Sequence, residues 1–201
     1  MNYSGFTLWF TGLSGAGKTT ISKGVASVLK ARGYRVEILD GDVVRTHLSQ
    51  ELGFSKQDRD TNIRRIGFVA SLLSRNQVIA IVAAISPYRE IRDEVRQMSQ
   101  SFVEVYVKAS LETCSQRDVK GLYALAKTGK IKDFTGIDSP YEEPLNPEII
   151  CHTQYESIES SITKVIQALE EQRYISSLAH DGQKQGVLNT ITTDLVSELD
   201  A

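Results

Sequence analysis

Residues Gly12-Leu13-Ser14-Gly15-Ala16-Gly17-Lys18-Thr19 fit the pattern GxxxxGK[ST] and directly follow an apolar run at 6–11. Such a turn between a strand and an amphipathic helix, here expected from about 18 to 31, leaves few folds open. The glycines let backbone N–H groups converge on a phosphate chain, and Lys18 brings a positive charge to its outer phosphates. The hydroxyl of Thr19, next to Thr20, can ligate Mg²⁺. The helix points its positive end at the same anion. The pattern therefore predicts a bound nucleoside triphosphate. A glycine-rich turn that binds nothing is the alternative, and strand, loop, Lys-Thr pair and helix together weigh against it.

Strand-like runs at 6–11, 35–39, 77–84, 102–107 and 148–153 alternate with helical patterns such as Ile63, Ile66, Val69, Ala70 and Leu73. That rhythm predicts an α/β fold of the phosphate-loop NTPase type. It is a doubly wound, five-stranded parallel sheet with helices on both faces. With 201 residues, 41% of them hydrophobic, one core and one domain are expected, over 1–173. A stretch rich in glycine and charge at about 117–145 reads as a lid over the phosphate site. Residues 174–201 read as a C-terminal tail with no assigned role. A formal charge of -2, with both signs well mixed, gives no reason to expect a nucleic-acid partner. Cys114 and Cys151 stand outside any CxxC or Cys/His cluster, which points to a reducing compartment and away from structural zinc. The longest apolar run, 78–85, is too short for a bilayer, and the N-terminus has no signal pattern. A cytoplasmic location without membrane contact is expected.

In a sheet of this kind ligands sit at the carboxyl ends of the strands. After the second strand come Asp40-Gly41-Asp42, two carboxylates able to hold Mg²⁺ or to accept the proton of an attacking hydroxyl. The alternative role for Asp42 is to cap the helix through Leu48. Arg45, one turn on, points the same way. Arg59, Asn62 and Arg65 recur every third residue on the next helix and would suit an anionic second substrate, although a merely solvated face is the more common reason for such a stripe. Phe54 precedes them as core or stacking platform. The third strand leads into Ala84-Ile85-Ser86-Pro87, with serine where phosphate-loop NTPases commonly place a metal-binding Asp. That shifts the metal role to Asp40 or Asp42. Ser86 is read as a substrate contact, a phosphate acceptor or the cap of the helix that Pro87 starts.

The motifs GLSGAGKTT, LDGDVVRTHL, GFS…DR…NIRR, AAISPYR, RDVKGLY and FTGIDSPYE, in this order, make the chain resemble the adenylylsulfate kinase (APS kinase) family over about 5–172. The resemblance implies transfer of the ATP γ-phosphate to the 3′-hydroxyl of adenosine 5′-phosphosulfate (adenylylsulfate), with Mg²⁺, giving 3′-phosphoadenylylsulfate for sulfate activation. It implies that residues 12–20 hold ATP, that Lys18, Asp40, Asp42 and Ser86 are catalytic, and that Thr19 and Asp40 serve the metal. Asp42, Arg45, Phe54, Arg59, Asn62, Ile85, Ser86, Lys120 and Phe134 fall on substrate positions, with the two phenylalanines on either side of the adenine. A homodimer and a functional link to ATP sulfurylase come with the family. Ser86 matches a serine described there as a phosphoserine intermediate, but the neighbouring residues offer it no base before Glu90, so direct transfer is expected. Ala124-Leu125 replace a usual basic pair, and Asp133 stands where glycine is common, which makes the lid less cationic. Competing readings are another small-molecule kinase, a regulatory GTPase, for which no NKxD follows a strand, and an inactive interaction module.

Overall fold

The computed structural model describes residues 4–177. Strands β1 (Thr7–Thr11), β2 (Val36–Asp40), β3 (Ile79–Ala83), β4 (Phe102–Lys108) and β5 (Ile149–His152) form one parallel sheet in the order β2-β3-β1-β4-β5. The doubly wound five-stranded sheet is thus as the sequence predicts. β1 lies between β3 and β4 and is covered on both faces, so all five of its residues are buried and its pattern is continuous rather than alternating.

Alternate side chains of β1 enter different layers. Phe6, Leu8 and Phe10 pack with helices α1 (Lys18–Ala31) and α7 (Ile158–Glu171), through Ile21, Val25, Leu29, Ile162, Val165 and Leu169. Trp9 faces the other layer, where α3 (Lys56–Arg75) and α4 (Arg89–Met98) bring Ile63, Ile66, Ala70, Ile91 and Val95. Helix–helix contact there is close: a Cβ added at Gly67 on α3 would lie 2.4 Å from Cγ1 and 2.8 Å from Cβ of Val95.

Three shorter helices complete the cleft: α2 (Gly41–Leu48), α5 (Leu111–Arg117) and α6 (Leu122–Lys127). The expected boundary after residue 173 is crossed by the fold. Tyr174 packs on Phe6 with ring centres 5.0 Å apart, Ile175 is buried, and the Ser176 N–H bonds the hydroxyl of Tyr34. Of the tail assigned to 174–201, residues 178–201 lie outside the described residues. No described helix is long and apolar enough to cross a membrane.

The α3–α4 contact gives a stability prediction. Gly67→Val should cost about 1–3 kcal/mol through overpacking against Val95, read from urea unfolding. Unchanged stability would show that the two helices are free to move apart.

Candidate active site

The phosphate loop leaves β1 at its carboxyl end, and its backbone requires glycine. A Cβ at Gly12 would sit 2.4 Å from the carbonyl oxygen of Val107, and Gly17, at φ 102°, caps α1 from the left-handed region. Lys18 opens α1 and folds back over the loop, donating from Nζ to the carbonyls of Gly12 (2.9 Å) and Leu13 (2.8 Å). Burial pushes its pKa from 10.5 down to about 8, partly offset by Asp42 and Asp40.

Across the cleft, β2 ends on Asp40. The carboxylate of Asp40 accepts from the Thr19 hydroxyl (2.9 Å) and from the Asp42 backbone N–H (3.0 Å), so Asp40, rather than Asp42, is the residue that caps α2. Gly41 is the first residue of that helix. A Cβ there would meet Ala83 O and the Ala84 Cβ at 3.3 Å, so close packing against the β3 end accounts for this glycine. Asp42 lies in the first turn of α2 and pairs with Lys120 of the lid.

One cleft of about 630 Å³ brings these groups together. Ser14, Gly15, Gly17, Lys18, Thr19, Thr20, Asp40, Asp42, Arg45, Phe54, Arg59, Asn62, Ile85, Ser86, Lys120 and Phe134 all line it. Gly12, Leu13 and Ala16 do not. The first two supply the carbonyls that hold Lys18, and buried Ala16 accepts from the Thr153 hydroxyl at 2.8 Å.

At the end away from the loop, Phe54 is 55% exposed with the Arg45 guanidinium 4.3 Å above its ring, while Phe134 is buried edge-on against Tyr123. Asn62 is only 7% exposed, and its Oδ1 has no protein partner. Arg59 reaches over to the lid, donating to Thr135 Oγ1 (2.9 Å) and to the Asp133 carbonyl. Arg65 departs from the expected stripe: it turns outward to Glu51 and the Leu48 carbonyl and does not line the cleft. Its spacing matched Arg59 and Asn62, but the twist of three residues per 300° carries each successive member further round the helix.

Ser86 is also not a helix cap. α4 begins at Arg89 with Tyr88 before it, and Ser86 sits at φ 42°, 1% exposed, its Oγ accepting from Trp9 Nε1 at 3.0 Å. The sequence reading missed Tyr123, whose hydroxyl donates to the Ser14 carbonyl (2.9 Å), and Thr135, which Arg59 holds. Both fall within the quoted motifs RDVKGLY and FTGIDSPYE, which were the available signal.

Asp133 lines the cleft at φ 57°, the left-handed backbone that explains a preference for glycine there. Its own N–H bonds Asp138 Oδ2 at 2.7 Å, which holds the turn in place. Ala124 and Leu125 lie on α6 outside the cleft lining.

A profile of the adenylylsulphate kinase family matches residues 4–152. The chain belongs to the adenylylsulphate kinase family. It is 62% identical over 176 residues to the adenylyl-sulfate kinase of Rippkaea orientalis, covering 88% of this chain and 97% of the relative. It is 63% identical to that of Picosynechococcus sp., over 88% and 99% of the two chains. A structure of the Mycobacterium tuberculosis APS kinase in complex with AMPPNP and APS superposes with a TM-score of 0.81 at 42% identity, over 84% of this chain and 99% of that one. A hexameric APS kinase from Thiobacillus denitrificans gives 0.67 at 40% identity, over 86% of this chain and 30% of that chain.

The lowered pKa of Lys18 predicts a pH dependence with a definite sign. Below about pH 8 the ammonium is present for a triphosphate. Above it the ligand must restore the proton, so nucleotide affinity by calorimetry should fall by up to about tenfold per pH unit. Unfolding does not explain such a loss, because this group's contribution to stability rises from about 8 toward 10.5, where the unfolded chain holds more protons. A flat affinity from pH 7 to 9.5 would contradict the role of the charge.

Proposed function

We propose that the cleft carries out the family reaction through the residues placed above, transferring the γ-phosphate of ATP to the 3′-hydroxyl of adenosine 5′-phosphosulfate. The activity is that of an ATP-dependent adenylyl-sulfate kinase, a transferase that makes 3′-phosphoadenylylsulfate for sulfate activation. What carries the residue-level reading is one juxtaposition. The loop, Lys18 and Thr19 share a single cleft with Asp40, Asp42 and a lobe built of Phe54, Arg59, Asn62 and Phe134.

ATP lies with its phosphates on the loop, where backbone N–H groups and the α1 N-terminus face the anion. Lys18, already close to two carbonyls, turns its remaining N–H toward the transferring group. The Thr19 hydroxyl and the Asp40 carboxylate, 2.9 Å apart, are an all-oxygen pair of the kind that suits Mg²⁺ and would hold it. Among the described residues no group of three His, Cys, Asp or Glu side chains could hold a metal. Two protein ligands suffice for an ion that keeps waters and takes phosphate oxygens. When bound, Mg²⁺ neutralises charge across the β- and γ-phosphates.

Adenylylsulfate occupies the other lobe. Its adenine lies between Phe54 and Phe134, and its amino group supplies the donor that buried Asn62 Oδ1 lacks. Arg45, Arg59 and Lys120 grip the phosphosulfate, and Ile85 and Ser86 form the wall beside it. Lys120 and the acceptor's hydroxyl compete for Asp42. As the anionic anhydride draws Lys120 away, Asp42 is free to accept the hydroxyl proton. Ser86 is poorly disposed to be a nucleophile. Its oxygen already accepts a hydrogen bond from Trp9, and among the described residues no base is bonded to it.

A kinase unit of residues 1–173 extended by the packed residues 174–176, the lid role of 117–145, a homodimer, a functional link to ATP sulfurylase and a cytoplasmic location complete the proposal. The hexameric relative supports association as a habit of such chains. A likeness to a Sinorhizobium meliloti gluconokinase at 17% identity reaches the fold alone, so sugar phosphorylation has no support in the site.

The test is ADP release from ATP and Mg²⁺ with and without adenylylsulfate. Release should depend on adenylylsulfate and match 3′-phosphoadenylylsulfate formed. Release that is indifferent to it would overturn the reading. Within that assay Asp42→Asn should lower kcat by about a hundredfold or more, as loss of general acid–base assistance does, with little change in KM. Arg59→Ala should act mainly on the KM for adenylylsulfate, because it grips a part of the acceptor remote from reaction. The reverse pattern would show that the two roles are exchanged.

A further inference from the structure

The wall formed by Ile85, Ser86 and Pro87 is held more tightly than any packing need explains. Ser86 has a left-handed backbone that a residue with a Cβ rarely adopts, so its neighbours must impose it. Four bonds do so. Trp9 Nε1 donates to Ser86 Oγ at 3.0 Å, Thr11 Oγ1 to the Ile85 carbonyl at 2.7 Å, Arg92 Nη1 to the Ser86 carbonyl at 2.6 Å, and the Glu142 N–H to the Pro87 carbonyl at 2.8 Å.

Arg92 extends the clamp to the returning end of the lid. Its Nη2 donates to the Glu142 carbonyl at 2.7 Å, and its charge is balanced by buried Glu104, whose Oε1 lies 2.9 Å from Nε. Trp9 is fully buried and stacked on Phe102 at 5.7 Å, so its indole cannot swing away from the serine without disturbing the core.

A hydroxyl carries one proton and two lone pairs, and an indole N–H only donates. Trp9 therefore takes up one lone pair of Ser86 and excludes the serine proton from its own direction. Among the described residues that proton finds only the Ala84 carbonyl, 3.4 Å away and at the outer limit of a hydrogen bond. A closer acceptor entering the cleft takes it instead.

We propose that Trp9 is a positioning residue for the phosphoacceptor, acting through the Ser86 hydroxyl, and that Arg92 locks the same turn to the end of the lid. Acceptor recognition and lid anchorage then share one turn, held from behind by Trp9 and Arg92, neither of which lines the cleft. The inference rests on the reading of this lobe as the adenylylsulfate site.

A double-mutant cycle on the full chain tests it, with Trp9→Phe, Ser86→Ala and the pair. Trp9→Phe keeps an aromatic ring and removes the N–H. It should lower kcat/KM for adenylylsulfate about three- to tenfold, the range of one neutral hydrogen bond, with the KM for ATP within twofold. In the Ser86→Ala background it should add less than twofold. Packing damage would instead multiply the two losses, and multiplied losses, or an equal loss in ATP affinity, would overturn the proposal.

Because Trp9 is the single tryptophan, its emission gives a second readout. Adenylylsulfate added to the ADP complex should shift the emission, and Ser86→Ala should abolish most of that shift; a shift unchanged by Ser86→Ala would contradict the coupling. For the Arg92 half, Arg92→Gln combined with Glu104→Gln leaves no unpaired buried charge and should raise the KM for adenylylsulfate about fivefold or more. An unaltered KM would remove Arg92 from the proposal. Failure of the wild type to turn over adenylylsulfate would overturn the functional reading and this inference together, whereas multiplied losses in an active enzyme overturn the inference alone.

Discussion

A lysine stripped of water at the end of the central strand is the constraint on which the rest of the site depends. Lys18 is buried, and the carbonyls of Gly12 and Leu13, with Asp40 and Asp42 nearby, offset part of the cost of its charge. Those carbonyls are in place because β1 is fixed on both edges and both faces, and because Gly12 lets the loop pass close to the Val107 backbone. The core and the charge are thus coupled: the hydrophobic packing of β1 is what keeps an unfavourable ammonium where a phosphate can use it. The same helix that starts with Lys18 places Thr19 against Asp40, which in turn caps α2 and sets Asp42 at the cleft.

The second constraint is that an acceptor lobe must be closed without being sealed. Arg59 and Lys120 span the gap between the αβ body and the lid, the first to Thr135 and the Asp133 carbonyl, the second to Asp42. In the proposed reading each is a charge that an anionic acceptor can recruit, so the contacts that tie 117–145 to the body are also those that the substrate would exchange for its own. Asp133 places an exposed carboxylate at the lining, but its carbonyl accepts from Arg59 and its N–H donates to Asp138, which ties its backbone into the clasp. Its cost lies in a left-handed backbone as much as in its charge.

Most of the architecture could be read from the sequence, because a continuous apolar strand followed by a glycine loop and a helix has few alternatives. The bounds of α1 follow from the loop motif and its apolar spacing, and the five strands fall within a residue or two of the apolar runs. The placement of site residues was legible where backbone position fixes it, as at Lys18, Thr19 and the acidic pair at the end of β2. It was less so where role depends on the direction of a side chain. Arg65 shares the spacing of Arg59 yet points to Glu51, and the helix cap fell to Asp40 because its position before α2, not its neighbour's, allows a side-chain oxygen to reach the Asp42 N–H. Trp9 and Arg92 gave no sequence signal. Each reads as an ordinary core or surface residue, and only the tertiary fold brings them to Ser86 across 77 and 6 residues.

Loop and acidic turn line one cleft, and in the proposed reading this lets a single in-line displacement proceed with no covalent enzyme intermediate. Phosphoryl transfer relies on positioning and charge neutralisation, and both are present without Ser86 acting as a nucleophile. The most direct measurement is the stereochemical course with ATP made chiral at the γ-phosphorus. Inversion in the 3′-phosphoadenylylsulfate formed is the predicted result, since one displacement inverts the centre. Retention would require two displacements, and would contradict the account by placing a phosphorylated residue of the enzyme on the path.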